Sequence, residues 1–174
     1  MRIGTWNLAG RWSADRERLM GAQDCDLWLL TEVNDGVELP GMRRHVGQEH
    51  MAARRRWAAI LSHESFEPFR DPHSASASVC LGNATFLSSV LPWRSCRSRH
   101  PWIGTRHEDK TQAAVRSVTE SLEGPVVWGG DWNHAVHGPE HAGSRGGRAH
   151  VQAAVDQLRL GLSDHDAYIV TVRD

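Results

Sequence analysis

Four separated places in the chain end a strand-like run on side chains able to handle a metal ion or a phosphate: Asn7, Glu32, Asp131 with Asn133, and Asp164 with His165. Carboxylates and carboxamides supply hard oxygen ligands, which suit Mg²⁺ or Mn²⁺, ions that keep several waters and bind substrate phosphate. One His beside a carboxylate suits proton transfer or stabilisation of a phosphoryl oxygen. Each position alone says little. Their joint occurrence, in this order, points to a site.

The most informative stretch is Val126-Val127-Trp128-Gly129-Gly130-Asp131-Trp132-Asn133. Two β-branched residues and a Trp read as a buried strand, and the two glycines break it. If the chain stays extended, Asp131 and Asn133 share one face, because strand side chains alternate. Gly129 and Gly130 would then let a ligand approach the main chain closely. The same residues would also make a polar turn closing a hairpin, since Gly, Asp and Asn dominate turns for conformational reasons.

The elements that must position these groups read as follows. Residues 2–8 form a short strand delivering Asn7, and Ser13 caps a helix with Asp15 and Glu17 in its first turn, where the helix dipole favours acids. Residues 25–33 are an apolar run long enough for a strand buried on both faces, ending near Glu32. Residues 34–40 are loop, 57–62 a strand, and 67–78 a Pro-, Ser- and His-containing loop. Residues 77–81 and 84–90 form a hairpin across Gly82-Asn83. Helices are expected over 108–123 and 149–160, with a Gly- and His-rich loop from 134 to 147 bordering the site and a last strand ending at Val172.

Two arginine-rich regions have two readings each. Arg43, Arg44, Arg54, Arg55 and Arg56 make either a solvated face or phosphate contacts. Arg94, Arg97, Arg99 and Arg106, interleaved with Trp93 and Trp102, either hold bases and phosphates or form a loop pinned by buried Trp. The histidines at 45, 50, 63 and 73 stand among polar residues and read as solvated.

At 174 residues one domain over 1–174 is expected, able to bury roughly 70% of its unfolded surface. A formal net charge of -1 excludes a global field that would drive the protein onto nucleic acid or an anionic membrane, and leaves local patches open. Cys25, Cys80 and Cys96 are an odd number without metal-type spacing, so a reducing, cytoplasmic setting is expected. The first residues lack the pattern of a signal peptide, and no apolar run approaches the ~20 residues of a membrane span. Oligomeric state is not readable.

Ile3-Gly4-Thr5-Trp6-Asn7, Leu29-Leu30-Thr31-Glu32-Val33, Gly130-Asp131-Trp132-Asn133 and Ser163-Asp164-His165-Asp166 together resemble the endonuclease/exonuclease/phosphatase (DNase I-like) superfamily. The resemblance spans the chain, and Gly-Asp-x-Asn with Ser-Asp-His is its specific part. It implies an α/β (α+β) four-layer α/β/β/α sandwich of two mainly antiparallel sheets flanked by helices, with the site at one end. It also implies that Glu32, with Asn7 and Asp164, holds Mg²⁺ or Mn²⁺, and that Asp131 orients or deprotonates the attacking water. By the same resemblance Asn133 positions the phosphate, and His165 steadies a phosphoryl oxygen. The metal serves as Lewis acid and template for hydrolysis of a phosphate ester, nucleic acid being one substrate class.

Two departures stand against that pattern. Members carry a second His at the end of a middle strand, where this chain has serine within 84–90; His100 or His107 from the following loop are the substitutes on offer. Members also carry an Asp-bearing strand before Ser-Asp-His, to orient the catalytic His. Here a helix runs almost directly into Ser163, Asp156 lies within that helix, and Asp166 is the nearer alternative. The sandwich is therefore expected to be somewhat truncated. A metal-dependent phosphoesterase is the first reading, and an impaired relative that binds a phosphate ligand without turnover is the second.

Overall fold

The computed structural model describes residues 1–135, 138–158 and 168–171. In chain order the elements are β1 (Arg2–Asn7), α1 (Ala14–Gly21), β2 (Leu27–Asn34), β3 (Arg43–Val46), β4 (His50–Ala52), β5 (Arg55–Ser62) and β6 (Glu67–Pro68). Then come β7 (Ser76–Leu81), β8 (Ala84–Val90), α2 (His107–Ser121), β9 (Val126–Asp131), α3 (Arg145–Leu158) and β10 (Tyr168–Thr171).

They build two stacked sheets. The first has the order β10-β1-β2-β5-β3, with β4 also on β5, and the second the order β6-β7-β8-β9. Pairing is antiparallel except for β1 with β2 and β8 with β9. Three apolar layers follow from strand alternation. Ile3, Leu27, Leu29 and Ile60 meet Val79, Phe86 and Val127 between the sheets. Leu8, Met20, Trp28, Leu30 and Leu61 fill the space around α1 outside the first sheet. Leu87 and Trp128 meet Val115 and Val118 of α2 and Val151 and Ala154 of α3 outside the second. The α/β/β/α sandwich is thus present. A fully buried hydrogen bond crosses between the sheets from Ser88 Oγ to Leu30 O at 2.8 Å.

Helix boundaries show what the sequence pattern misses. Ser13 Oγ accepts from Arg16 N at the start of α1, as expected. α3 begins at Arg145 rather than 149, because Ser144 Oγ accepts from Gly147 N (3.1 Å) and caps the first turn. Gly146 and Gly147 read as loop, but their missing side chains admit Glu108 of α2 and His134, so the helix packs where a larger residue would collide.

Three strands were not expected. β3 and β4 are short, polar and charged, and they form because β5 offers them a paired edge. β6 occupies part of the 67–78 loop by pairing with β7. His73 is not solvated: its ring stacks on Trp102 at 5.5 Å, and Ala75 N donates to its Nδ1 (3.1 Å). Burial pushes its pKa down to about 4. His45 is also drawn in, 3.5 Å from Asp71. All three cysteines are free, and no helix among the described residues is long and apolar enough to cross a membrane.

Candidate active site

The C-terminal ends of β1, β2 and β9 meet at one end of the sandwich, and one amide joins them. Asn7 Nδ2 donates to Asp131 Oδ2 at 2.6 Å and to Glu32 Oε1 at 3.1 Å. The amide orientation is held by its other end, where Oδ1 accepts from Ala9 N (2.8 Å). Two carboxylates 99 positions apart in sequence therefore sit on the two N–H bonds of a single side chain.

Glu32 reaches this place through an irregularity. Its φ is +48°, the left-handed region that costs a residue with a Cβ about 1 kcal/mol or more. Leu30 and Val33 both pack on the outer face, three positions apart, so strict alternation fails between them. The turn at Glu32 brings its carboxylate to Asn7 instead of leaving it beneath α1 with Leu30. Its Oε2 has no hydrogen-bond partner among the described residues, and the side chain is half-buried.

Asp131 lies on the inner face of β9, in alternation with Val127, and is 2% exposed. Besides the Asn7 donor it receives Asn133 N on Oδ1 at 3.2 Å. The expected extended course past Asp131 is not found: β9 ends there, and Asn133 has φ +53°. Asn133 instead turns its amide onto the end of β8, donating from Nδ2 to Leu91 O at 2.9 Å. The nearest acceptor for its other amide proton is Asp131 O at 3.5 Å, a long contact. Nor do the glycines open the backbone to a ligand. Gly130 (φ +123°) has the backbone of Ser89 where a Cβ would stand, so its role is close approach of β9 to β8.

The serines at the end of β8 are both used in packing. Ser88 Oγ holds Leu30 O across the sandwich, and Ser89 Oγ accepts from Trp128 Nε1 at 2.6 Å. Of the two substitutes weighed, His100 lies exposed near Glu49 (3.8 Å). His107 engages Pro92 O through Nε2 (2.9 Å) and Ser144 Oγ through Nδ1 (2.8 Å). Among the described residues no strand stands between β9 and β10, in keeping with the missing Asp-bearing strand. Asp156 is on α3, hydrogen-bonded by Gln152 Nε2 at 3.0 Å. Asp164, His165 and Asp166 lie outside the described residues.

Behind Asn133 the buried His134, which had no signal in the sequence because it sits in a polar loop, meets the half-buried His107 at the start of α2. His134 donates from Nδ1 to Trp132 O (2.6 Å) and stacks on His107 at 5.1 Å. Burial, first of all, pushes its pKa down. The pair ties the loop after β9 to the start of α2.

A carboxylate carrying two donors, beside a second carboxylate with an open oxygen, can orient a water and take its proton. The donor set also suits a hard divalent cation, since Mg²⁺ is commonly held by one or two carboxylates plus waters and substrate. Glu32 Oε2 is the open oxygen; Asn7 presents its N–H side to the carboxylates, so a ligand role for Oδ1 means sharing it with Ala9 N–H. Among the described residues no three His, Cys, Asp or Glu side chains converge as a metal cage.

The arrangement of the two sheets can be set beside solved structures. The endonuclease domain of TRAS1, a telomere-specific non-LTR retrotransposon, superposes with a TM-score of 0.60 at 12% identity, over 90% of this chain and 71% of that one. The chain has the DNase I-like fold. The Xenopus laevis APE2 catalytic domain superposes on the same DNase I-like frame with a TM-score of 0.56 at 12% identity, over 87% of this chain and 66% of that one. The DNase I-like architecture here is thus shorter than in both. No protein-family model matches the sequence, and no curated protein sequence does.

Proposed function

We propose that this chain is a divalent-metal-dependent phosphoesterase that cleaves phosphodiesters by attack of water, with nucleic acid the favoured substrate. The observation that carries this is the Asn7 amide bridging Glu32 and Asp131 at the junction of three strand ends. The two neighbours of similar fold are an endonuclease domain and the APE2 catalytic domain, which favours a phosphodiester over a monoester.

Asp131 is the group that orients the water and accepts its proton as the oxygen attacks phosphorus. Asn7 holds Asp131 and Glu32 in place through its two N–H bonds. Asn133 offers its second amide proton to a phosphate oxygen while the first stays on Leu91 O. His165 is assigned a phosphoryl oxygen, and Asp164 and Glu32 the metal, with Asn7 as a further ligand. When bound, Mg²⁺ or Mn²⁺ would act as Lewis acid on the phosphate and neutralise the charge that develops on it. In the balanced reaction water adds to phosphorus, the ester P–O bond breaks, and the departing oxygen leaves as an alcohol.

A second reading, a binding module without turnover, is favoured by one observation: both serines at the end of β8 are buried in packing, Ser88 donating to Leu30 O and Ser89 accepting from Trp128 Nε1. The decisive experiment is hydrolysis of single-stranded and plasmid DNA, bis-p-nitrophenyl phosphate and p-nitrophenyl phosphate, with and without Mg²⁺ or Mn²⁺. Metal-dependent cleavage lost in Asp131→Asn and His165→Ala is expected. Full turnover in a folded Asp131→Asn protein refutes the roles, and silence on every substrate with phosphate ligands still bound selects the second reading.

A further inference from the structure

Beside Asn133 the surface opens into a hollow of about 520 Å³ lined by Trp93, Arg94, Ser95, Asn133, His141 and Ala142. That volume is in the range of small-ligand sites. Among the described residues no carboxylate lines it. Its aromatic wall is fixed before anything binds: Trp93 packs edge-on against Trp102 (6.1 Å, 83°), and Trp102 is held in turn by Trp57 and by the His73 ring. Its cationic rim is fixed as well. Arg94 donates from its backbone N to Ala142 O (2.7 Å) and from Nε and Nη2 to Gly143 O (2.8 and 2.6 Å). One edge of the guanidinium is thereby tied to the loop, and Nη1 is left for a ligand. Trp102 is the residue that pins this loop, whereas Trp93 stays half-buried with room beside it.

We propose that this hollow is a subsite for one unpaired nucleotide, the residue next to the phosphate at Asp131, with its base against Trp93 and a phosphate at Arg94 and Ser95. The assignment rests on the phosphoesterase reading above. Asn133 supports it by belonging to both places: its backbone N–H donates to Asp131 Oδ1, and the same residue lines the hollow. A π-face, a guanidinium and a hydroxyl in one recess match a base and a phosphate, and a base can enter such a recess only when it is unstacked. The subsite therefore selects single-stranded or extruded nucleotides over an intact duplex.

The test is fluorescence anisotropy with a labelled oligothymidylate and a blunt duplex of equal length, in EDTA so that nothing is cleaved. It compares the full chain with Trp93→Leu, which keeps apolar bulk, and Trp93→Phe, which keeps a stacking face. Stacking on an aromatic is lost with roughly 10-fold in affinity per base. Trp93→Leu should weaken single-strand binding by about that factor, Trp93→Phe should restore most of it, and duplex binding should change less. With Mg²⁺ present, the ratio of kcat/KM on the oligonucleotide to kcat/KM on bis-p-nitrophenyl phosphate should fall in Trp93→Leu, mainly through KM. Equal affinity in Trp93→Leu and wild type, equal weakening in both variants, or no single-strand binding by wild type each overturns the subsite, whatever happens to bis-p-nitrophenyl phosphate. Trp93-dependent binding without any hydrolysis upholds the subsite and removes the phosphoesterase reading.

Discussion

Replacing Asn7 by Asp tests the centre of the site with almost no change of shape. The amide now gives one N–H to Asp131 at 2.6 Å and one to Glu32 at 3.1 Å. Asn7→Asp puts a third carboxyl group against those two. At about 3 Å and an effective dielectric of about 20, each like-charge contact would cost roughly 5 kcal/mol. Keeping the new carboxyl protonated at pH 7 costs about 4 kcal/mol, given an unfolded pKa near 3.9. Protonation is the cheaper course, so the folded variant carries a neutral carboxyl group at position 7 that can still donate one hydrogen bond.

The sign follows. A group whose folded pKa is raised above its unfolded value binds a proton that the unfolded chain has lost, so stability falls as pH rises across that interval. The deficit of Asn7→Asp relative to wild type should grow by about 1.4 kcal/mol per pH unit, or about 4 kcal/mol between pH 5 and pH 8. Asn7→Ala should lose hydrogen bonds to charged acceptors, about 2–3 kcal/mol, with no such slope. Urea unfolding of the three proteins at pH 5, 6.5 and 8 measures this, and loss of a cooperative transition for Asn7→Asp at pH 8 is the same result in extreme form. Added Mg²⁺ should flatten the slope if a cation settles among the carboxylates. A deficit for Asn7→Asp that tracks Asn7→Ala at every pH would refute the convergence of the three groups.

Two further outcomes follow from the fold. His73 is held neutral, its pKa pushed from 6.5 down to about 4 by burial. Its contribution is present above pH 6.5 and lost as pH falls toward 4: about 1.4 kcal/mol by pH 5.5 and about 3 kcal/mol below pH 4. His73→Phe should therefore show a shallower acid dependence of unfolding free energy than wild type, and parallel curves would contradict the burial of a neutral ring on Trp102. Gly130→Ala should destabilise by about 3 kcal/mol or more, since its Cβ would stand 2.7 Å from Ser89 N at φ +123°. A loss below about 1 kcal/mol in urea titration would mean that β8 and β9 are not in that contact.

What the sequence made legible was what depends on period and on side-chain type. Apolar and β-branched runs located β2, β5, β8 and β9, the Gly-Asn turn joined β7 to β8, and the residue types marked Asn7, Glu32 and Asp131, which the fold brings together. What it hid was what depends on a single backbone angle or on a distant partner. Asp131 and Asn133 do not share an extended face, because Asn133 turns into the left-handed region to reach Leu91 O. Gly130 reads as room for a ligand, whereas the backbone of β8 takes that room. α3 starts four residues early because Ser144 caps it and two glycines let it close on His134 and Glu108. His73 looks solvated in a run of polar residues, and only the arrival of Trp102 from 29 positions away buries it.

The arginines show why composition says so little about a polyanionic ligand. Nineteen arginines against a net charge of -1 suggest a balanced, indifferent surface, but the structure divides them. Arg44 donates to Asp35 O and Val37 O, Arg56 to Gln48 O, and Arg106 pairs with Glu108 and Asp109. These hold loops and a helix start, and their charge is already answered. Arg97 and Arg99, exposed a few residues after Trp93, make no side-chain hydrogen bond or ion pair among the described residues. Arg94 keeps one edge open. Arg43, Arg54 and Arg55 are equally exposed and without a side-chain hydrogen bond or ion pair among the described residues, so what sets the Trp93 segment apart is that its charge stands with an aromatic wall next to Asn133. Affinity built on so few phosphate contacts would be modest and only weakly dependent on salt. Selectivity would have to come from stacking and from the fit of one nucleotide, which is the recognition a recess offers and a charged groove does not.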